Sequence, residues 1–196
     1  MRKLLTTLAA LALVLTLALP AGAYQEKLNT AVFTIGSTTY TVNGVAHQMD
    51  VAPVIINGRT LLPIRYVAYG MGIPDKDIQY MSQGRVPGYA QDQEVDITQH
   101  VHQPPIANYD ATYVIVYSYD DLSNARMMVQ NDNMTPPHIG TDNLLDAQYG
   151  VPPQVINGRL MMPLRSVSDQ MMGTSVTWNG NTRQVTVVAP VVSDAD

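Results

Sequence analysis

The sequence predicts an α+β fold that is mostly β, with antiparallel sheets each wrapped on a short helix and an internal pseudo-repeat. The segment that starts at Pro53 recurs one hundred residues later, at Pro153. Each copy contains an Asn-Gly pair between apolar runs, which is the strongest short-range signal for a β-hairpin. After each hairpin the apolar period lengthens to three or four residues, which indicates a short helix.

Residues 1–23 have the composition of a secretory signal peptide. A basic start at residues 1–3 precedes an apolar run at 4–19 and the small residues 21–23. We therefore predict a protein that is secreted to the extracellular space or the cell surface, with Tyr24 at its new N-terminus. A retained membrane anchor is the alternative interpretation of this segment. No later stretch is apolar and long enough to span a bilayer, so no transmembrane span is expected in the mature chain.

Composition excludes several classes of function. Cysteine is absent, which rules out disulfides, thiolate metal sites and a cysteine nucleophile. The net charge is −5, and Lys27 and Lys76 are the only lysines after the signal segment. An acidic chain of this kind is a poor match for nucleic acid or for anionic membranes. The partners we expect are other copies of the chain or other components of the cell envelope.

The first copy is predicted over residues 31–98, after an N-terminal segment at 24–30. Residues 32–42 are rich in β-branched side chains and are predicted to form two short strands. A hairpin follows at 54–64, and the helix after it is predicted to end at Gly72 as a C-cap. The strands at 78–80 and 94–98 are predicted to close the copy, with their turn expanded into residues 81–93.

The second copy is predicted over residues 112–189, between a linker at 99–111 and a flexible tail at 190–196. Its helix is predicted to end at Gly173, and residues 135–151 are expected to form an ordered loop. The closing hairpin is predicted around Asn179-Gly180, with Trp178, Val185 and Val187 available for a core. The repeat itself fits either one intertwined domain or two lobes.

The repeated arginines lie within the scaffold of each copy. Arg65 and Arg165 are expected to pair with a carboxylate such as Asp50 or Asp169, and Arg59 and Arg159 with a cross-strand partner. The residues assigned to the structural motif are Asn57, Gly58, Arg59, Pro63, Arg65, Asn157, Gly158, Arg159, Pro163, Arg165 and Trp178.

Taken together, the Asn-Gly-Arg-Thr-Leu-Leu-Pro-Ile-Arg segment, the short helix and the Val-Thr-Trp-Asn-Gly hairpin resemble the copper amine oxidase N-terminal-like (stalk) domain, present as two tandem copies. The resemblance implies a sheet wrapped around a short helix, in a module usually appended to other domains. In amine oxidases the oxidation belongs to a separate catalytic domain, which we expect this chain to lack. We therefore predict that the protein is not an enzyme and has no catalytic residues.

Two histidines are the candidates for a metal site. His100 and His102 would point to one face of a strand, and they could chelate copper or zinc if His138 or His47 came near. The alternative is a solvated edge strand that leads into Pro104. No cofactor is expected unless copper or zinc binds here.

A tyrosine-rich strand is the candidate interaction surface. Tyr113, Tyr117 and Tyr119 alternate with valine and isoleucine, so both faces of the strand are apolar. Such a strand is either an interaction surface or the buried centre of a sheet. Both interpretations stay open at this point.

The function predicted from these observations is that of a non-catalytic structural or interaction module of the cell envelope or extracellular space. We expect it to self-assemble into an extracellular polymer by strand pairing, with residues 24–33 as a free strand that completes a neighbour's sheet. The alternative is an extracellular protein that binds a small ligand or a metal ion.

Overall fold

A computed structural model describes residues 27–83, 92–101, 109–118, 120–131, 138–139, 143–171 and 173–190. The predicted signal peptide at 1–23, the tail after Pro190, His102 and Tyr119 lie outside the described residues.

The described residues form fifteen strands, three short α-helices and two 3-10 turns. The strands are β1 (Leu28–Thr34), β2 (Thr39–Val42), β3 (Val45–Gln48), β4 (Val54–Ile56), β5 (Arg59–Pro63), β6 (Ile78–Met81), β7 (Gln93–Val101), β8 (Tyr109–Tyr117), β9 (Arg126–Asn131), β10 (His138–Ile139), β11 (Asn143–Leu144), β12 (Gln154–Ile156), β13 (Arg159–Pro163), β14 (Ser175–Asn179) and β15 (Gln184–Pro190). The helices are α1 (Ile64–Met71), α2 (Leu145–Tyr149) and α3 (Leu164–Gln170), and the 3-10 turns are Asp75–Asp77 and Leu122–Asn124.

The strands form three antiparallel sheets, which confirms the predicted fold class. Sheet A has the order β14-β15-β1-β2-β3, and sheet B has the order β12-β13-β5-β4. Sheet C has the order β10-β9-β8-β7-β6, with β11 also pairing with β9.

The two copies are interlocked and form one intertwined domain. Sheet A joins the closing hairpin of the second copy, β14-β15, to the opening strands of the first copy. Sheet C joins the copies the other way round: the closing strands of the first copy, β6-β7, pair with the opening strands of the second copy, β8-β9. Sheet B joins the two Asn-Gly hairpins through β5 and β13. Each copy therefore buries its apolar surface against its partner, as expected for a repeat that is incomplete alone.

An approximate two-fold axis passes through the middle of sheet B. Leu62 lies directly opposite Met162, its equivalent one hundred residues later, and Leu61 and Pro63 lie opposite Pro163 and Met161. Leu62 and Met162 are both fully buried in the main core. The two repeated Asn-Gly hairpins thus meet side by side at this axis.

The N-terminal strand is not free, so the prediction that residues 24–33 complete a neighbour's sheet is wrong for residues 28–33, while residues 24–26 lie outside the described residues. β1 pairs with β15 on one side, from Leu28 opposite Pro190 to Thr34 opposite Gln184, and with β2 on the other. Ala31 and Phe33 of this strand are fully buried. β1 is the central strand of sheet A because both of its edges are taken within the chain.

Both Asn-Gly turns have the predicted geometry. Asn57 and Gly58 have φ of 49° and 72°, and Asn157 and Gly158 have φ of 51° and 73°. Positive φ at both central residues matches the type I′ hairpin turn, which asparagine and glycine tolerate best.

The equivalent helices of the two copies, α1 and α3, end differently. α1 ends at Gly72 in the left-handed conformation, as predicted. α3 ends at Gln170, and Met171 is extended, so the prediction that this helix continues to Gly173 is wrong. The Ser166 hydroxyl donates a hydrogen bond to the carbonyl oxygen of Pro163, just before the helix, and the Ser168 hydroxyl donates to that of Arg165. Such side chains weaken helix interiors.

Three further expectations need correction. The loop of the closing hairpin has four residues, 180–183, since Asn179 pairs with Gln184. Residues 99–101 and 109–111, predicted as linker, belong to β7 and β8. The predicted loop at 135–151 contains β10, β11 and α2.

Tyr113 and Tyr117 belong to the core, so of the two interpretations of this strand the buried centre of a sheet is confirmed and the interaction surface is wrong for these two residues. β8 lies in the middle of sheet C between β7 and β9. Tyr113 is completely buried and donates a hydrogen bond to Gln99 Oε1 at 2.8 Å, and Tyr117 is buried in the same core. On the opposite face of the strand, Val114 and Val116 are buried as well.

Candidate functional site

The two edges of sheet A are exposed strands. β3 and β14 each pair with one neighbour in the described part of the chain. All four residues of β3 are exposed, with Val45 62% accessible, and four of the five residues of β14 are exposed. Neither strand contains a charged residue or a proline, the features with which natural edge strands avoid pairing with other chains.

The other sheets do not have two edges of this kind. Sheet B ends in β4 and β12, which have three residues each, and one edge of sheet C is β10, which has two. The remaining edge of sheet C is β6, which follows directly on the charged turn Asp75–Asp77. Of the three sheets as described, sheet A alone has strands of four or more residues at both edges.

Two grooves flank sheet B and are related by its approximate two-fold axis. Groove 1, of about 400 Å³, contains Arg65 and Tyr80 of the first copy and Arg159 of the second. Groove 2, of about 200 Å³, contains Arg165 and Trp178 of the second copy and Arg59 of the first. Each groove therefore combines two motif arginines from different copies with an aromatic residue from a closing hairpin.

Both arginines of groove 1 bind aspartates of the chain. Arg159 Nε donates to Asp50 Oδ2 at 2.8 Å, and Arg65 Nη1 donates to Asp75 Oδ1 at 2.7 Å. The hydrogen bond from Arg159 holds the pKa of Asp50 below its usual value. For Asp75 the hydrogen bond from Tyr69 is the main cause that lowers its pKa, and Arg65 adds to it. Arg65 thus pairs internally as predicted, but with Asp75.

A row of aromatic rings connects the core of sheet A to groove 1. The ring of Phe33 stacks on Tyr40 with centroids 5.1 Å apart, and Tyr40 contacts Tyr66 edge-on at 5.9 Å. Tyr66 contacts Tyr69 at 5.7 Å, and the Tyr69 hydroxyl donates to Asp75. Burial raises the pKa of both Tyr40 and Tyr69. This row positions the acceptor of the Arg65 ion pair.

Trp178 is a groove residue, so its predicted place in a core is wrong. Its side chain is 42% exposed, whereas Val185 and Val187 of the paired strand are buried. Trp178 lies on β14, an edge strand of sheet A that pairs with one neighbour in the described part of the chain. An exposed tryptophan beside two arginines is a typical feature of binding surfaces.

His100 binds two carboxylates. Its Nδ1 lies 2.6 Å from Asp110 Oδ1 on β8, and its Nε2 lies 3.2 Å from Asp77 Oδ2 in the 3-10 turn. The hydrogen bond with Asp110 is the main cause that raises the pKa of His100, which favours an imidazolium between two aspartates. This contact ties β7 to β8 and to the turn that carries Asp75.

The described part of the chain does not assemble a metal site. Within it, no group of three or more histidine, aspartate or glutamate side chains is placed to hold a metal ion. Both ring nitrogens of His100 face aspartates, and His102 lies outside the described residues. The copper or zinc site at His100 and His102 stays a prediction.

Several residues of these sites were not found from the sequence. Asp75 and Asp77 lie in a turn that the second copy lacks, so the repeat does not mark them. Asp110 is ten residues from His100, and the hairpin register alone makes them neighbours. Asp75 and Asp77 are two of many acidic residues outside the repeated segment, so composition alone does not single them out.

Comparison with known proteins gives one match. A family model described as "Copper amine oxidase N-terminal domain" matches residues 23–85 and 142–190, which together exceed half of the chain. The description names the N-terminal, non-catalytic domain of those enzymes. No curated protein and no solved structure matches the chain. In the described part of the chain, every helix is too short or too polar to cross a bilayer.

Proposed function

The chain belongs to the copper amine oxidase N-terminal domain family, and from this premise we propose that it is a non-catalytic structural module that self-assembles by strand pairing. We place it in the extracellular space or at the cell surface because residues 1–23 have the composition of a secretory signal. The observation that carries self-assembly is the pair of uncharged edges, β3 and β14, on the same sheet.

The assembly would extend sheet A from one protein molecule to the next. β3 of one molecule pairs with β14 of a second molecule, and β3 of that second molecule is then free to receive a third molecule. Since two different surfaces meet, the contact is heterologous, and repeated contacts of this kind produce a ring or a filament. Each added strand contributes several backbone hydrogen bonds, and each of these is worth about 0.5–1.5 kcal/mol net.

Exposed apolar side chains at the two edges support this arrangement. Val45 on β3 and Trp178 on β14 are among the largest exposed apolar side chains of the described residues. Pairing of the edges removes part of this surface from water, which contributes about 25 cal/mol per Å² of apolar area. The N-terminal strand plays no part in this contact, because it is already the centre of the sheet.

Lysine substitutions test the assembly, since a charge on an edge strand opposes pairing. Val45→Lys alters the β3 edge and Thr177→Lys alters the β14 edge. Thr186→Lys is the matched control. Thr186 lies opposite Thr177 but on β15, a strand with neighbours on both sides. The four proteins, starting at Tyr24, are compared by light scattering and negative-stain electron microscopy.

We expect polymers from the unaltered protein and from Thr186→Lys, and monomers from each edge variant. An equimolar mixture of the two edge variants should form dimers that grow no further, because one intact β3 meets one intact β14. A monomeric unaltered protein at high concentration would disprove the proposal. Polymers from the mixture, or from either edge variant alone, would show that other surfaces mediate assembly.

A further inference from the structure

The two grooves beside sheet B have equivalent arginines in different states. In groove 1, Arg159 and Arg65 are each bound to an aspartate. In groove 2, the equivalent residues Arg59 and Arg165 are exposed, and neither makes a hydrogen bond or an ion pair with another described residue. Two guanidinium groups in one groove without an ion-pair partner among the described residues are unusual on a chain of net charge −5.

The first missing carboxylate is explained by one substitution between the copies. Asp50, which binds Arg159, corresponds one hundred residues later to Gly150. Gly150 lies beside Arg59, since a Cβ atom at this glycine would be 3.7 Å from Arg59 Nη2. The chain at Gly150 is therefore in van der Waals range of the Arg59 guanidinium, but a glycine supplies no acceptor side chain there.

The second missing carboxylate is explained by a shorter connection. In the first copy, the turn Asp75–Asp77 leads into β6 and supplies the partner of Arg65. In the second copy, residues 171–174 join α3 directly to β14, so this acidic turn has no counterpart. Asp169 on α3 accepts a hydrogen bond from Ser168 and forms no ion pair with Arg165 among the described residues.

Aromatic side chains complete groove 2. Trp178 lies at one side of it and Tyr149 at another. The Tyr149 hydroxyl accepts a hydrogen bond from Gln170 Nε2 at 3.1 Å, which fixes that ring in place. Planar aromatic faces bind the backbone and side chains of an extended peptide, and arginines bind its carboxylates.

We propose that groove 2 binds an acidic peptide segment, with one carboxylate on Arg59 and a second on Arg165, and with Trp178 against the peptide. Groove 1 indicates the chemistry, because its equivalent arginines are each satisfied by an aspartate of a polypeptide. Those two aspartates, Asp50 and Asp75, bind separately, so the geometry matches two spaced carboxylates and not one phosphate group. This inference does not depend on the assembly of sheet A.

Trp178 allows a direct test, because it is the single tryptophan of the chain. Its fluorescence is followed, at a protein concentration where light scattering shows monomers, during titration with an acetylated and amidated (Asp-Gly)3 peptide. The (Asn-Gly)3 peptide, an oligouronate and inorganic phosphate are titrated in parallel. We expect saturable binding of the aspartate peptide, weakened by added salt, and no saturable response to the other three.

Variants of groove 2 and a charge-matched control separate site binding from general attraction. Arg59→Gln with Arg165→Gln should weaken binding about tenfold, the loss expected for two partly exposed ion pairs. Lys27→Gln with Lys76→Gln removes two positive charges elsewhere and should leave the affinity unchanged. Gly150→Asp places a carboxylate next to Arg59 at a position with φ of 72°, so its fold is first checked by circular dichroism. The folded variant should bind the peptide more weakly.

Three results would overturn the proposal. The first is no saturable response to the aspartate peptide. The second is an equal loss of affinity in the arginine and lysine double variants, which would indicate attraction without a site. The third is tighter binding of the oligouronate or of phosphate than of the peptide, which would assign the groove to another class of ligand.

Discussion

Asp50 of the first copy and Arg159 of the second form an ion pair across sheet B, with 2.8 Å between Oδ2 and Nε. The backbone N–H of Asp50 also donates to the Tyr66 hydroxyl at 3.2 Å, which holds the backbone of this residue in place beside Arg159. The repeated arginine of one copy is thus neutralised by the other copy. The interlocked sheets alone would not reveal this second connection between the halves.

Asp50→Asn should weaken the fold slightly. The pair is partly exposed, so we expect a loss of less than about 1 kcal/mol in the free energy of unfolding at pH 7, measured with urea. Because the pKa of Asp50 is lower in the folded state, its contribution is present above the unfolded pKa near 3.8 and is lost as pH falls through the folded value. The variant and the parent should therefore converge in strongly acidic buffer. Asp120→Asn, at an exposed turn, is the control and should change stability at neither pH.

Gly70→Ala should destabilise the protein although alanine favours helices. A Cβ atom at position 70 would lie 2.6 Å from the Cβ of Ala31, where α1 packs on β1. Overpacking costs about 1–3 kcal/mol, which exceeds the gain of about 1 kcal/mol from helix propensity. Ala31→Gly combined with Gly70→Ala removes the clash and should restore part of the loss. A fully stable single variant in thermal unfolding would show that α1 and β1 are further apart than described.

His100 should make the stability of sheet C depend on pH. The pKa of His100 is raised, first by its hydrogen bond with Asp110, so its contribution is fully present below the unfolded pKa of about 6.5 and is lost as pH rises through the folded value. We expect His100→Asn to reduce the fall in stability from pH 6 to pH 8.5. Urea unfolding across this range measures the effect. An unchanged slope in the His100 variant would refute the assignment.

Asn57→Ala should cost about 1 kcal/mol, since an alanine with positive φ brings its Cβ close to the following carbonyl oxygen. Asn57 has φ of 49° and starts the turn that sets the register of β4 and β5. Asn57→Gly keeps the turn and should cost clearly less. Denaturant midpoints of the three proteins decide the matter. Equal losses for alanine and glycine would point to a role of the asparagine side chain and not of its backbone angle.

Local signals in the sequence were sufficient for the hairpins and for α1. The Asn-Gly turns, the alternation in β1 and the glycine at 72 are decided by residues close to one another, so the sequence predicts them well. The same signals could not tell which hairpin pairs with which. β1 looks free in the sequence because its partner β15 lies more than 150 residues away, and only the complete fold brings Leu28 opposite Pro190.

The candidate sites were predicted less well, because they arise from differences between the copies. The repeat singles out four arginines, but among the described residues only Arg65 and Arg159 have a carboxylate partner. Their aspartates lie outside the repeated segment or at a position where the second copy has glycine. Trp178 was assigned to a core because its strand alternates regularly. Periodicity gives the side of a strand on which a residue lies, and it does not show whether anything covers that end of the sheet.

The pairing of β1 with β15 also fixes an order of events during folding. β1 is synthesised before the other strands of the fold, and its partner β15 is synthesised last, so sheet A cannot close until the whole domain has been made. Sheet C has no such delay, because β6, β7, β8 and β9 follow one another along the chain. Contacts between distant parts of a chain form slowly. We therefore expect folding to begin in sheet C and to finish with the capture of the first strand by the last.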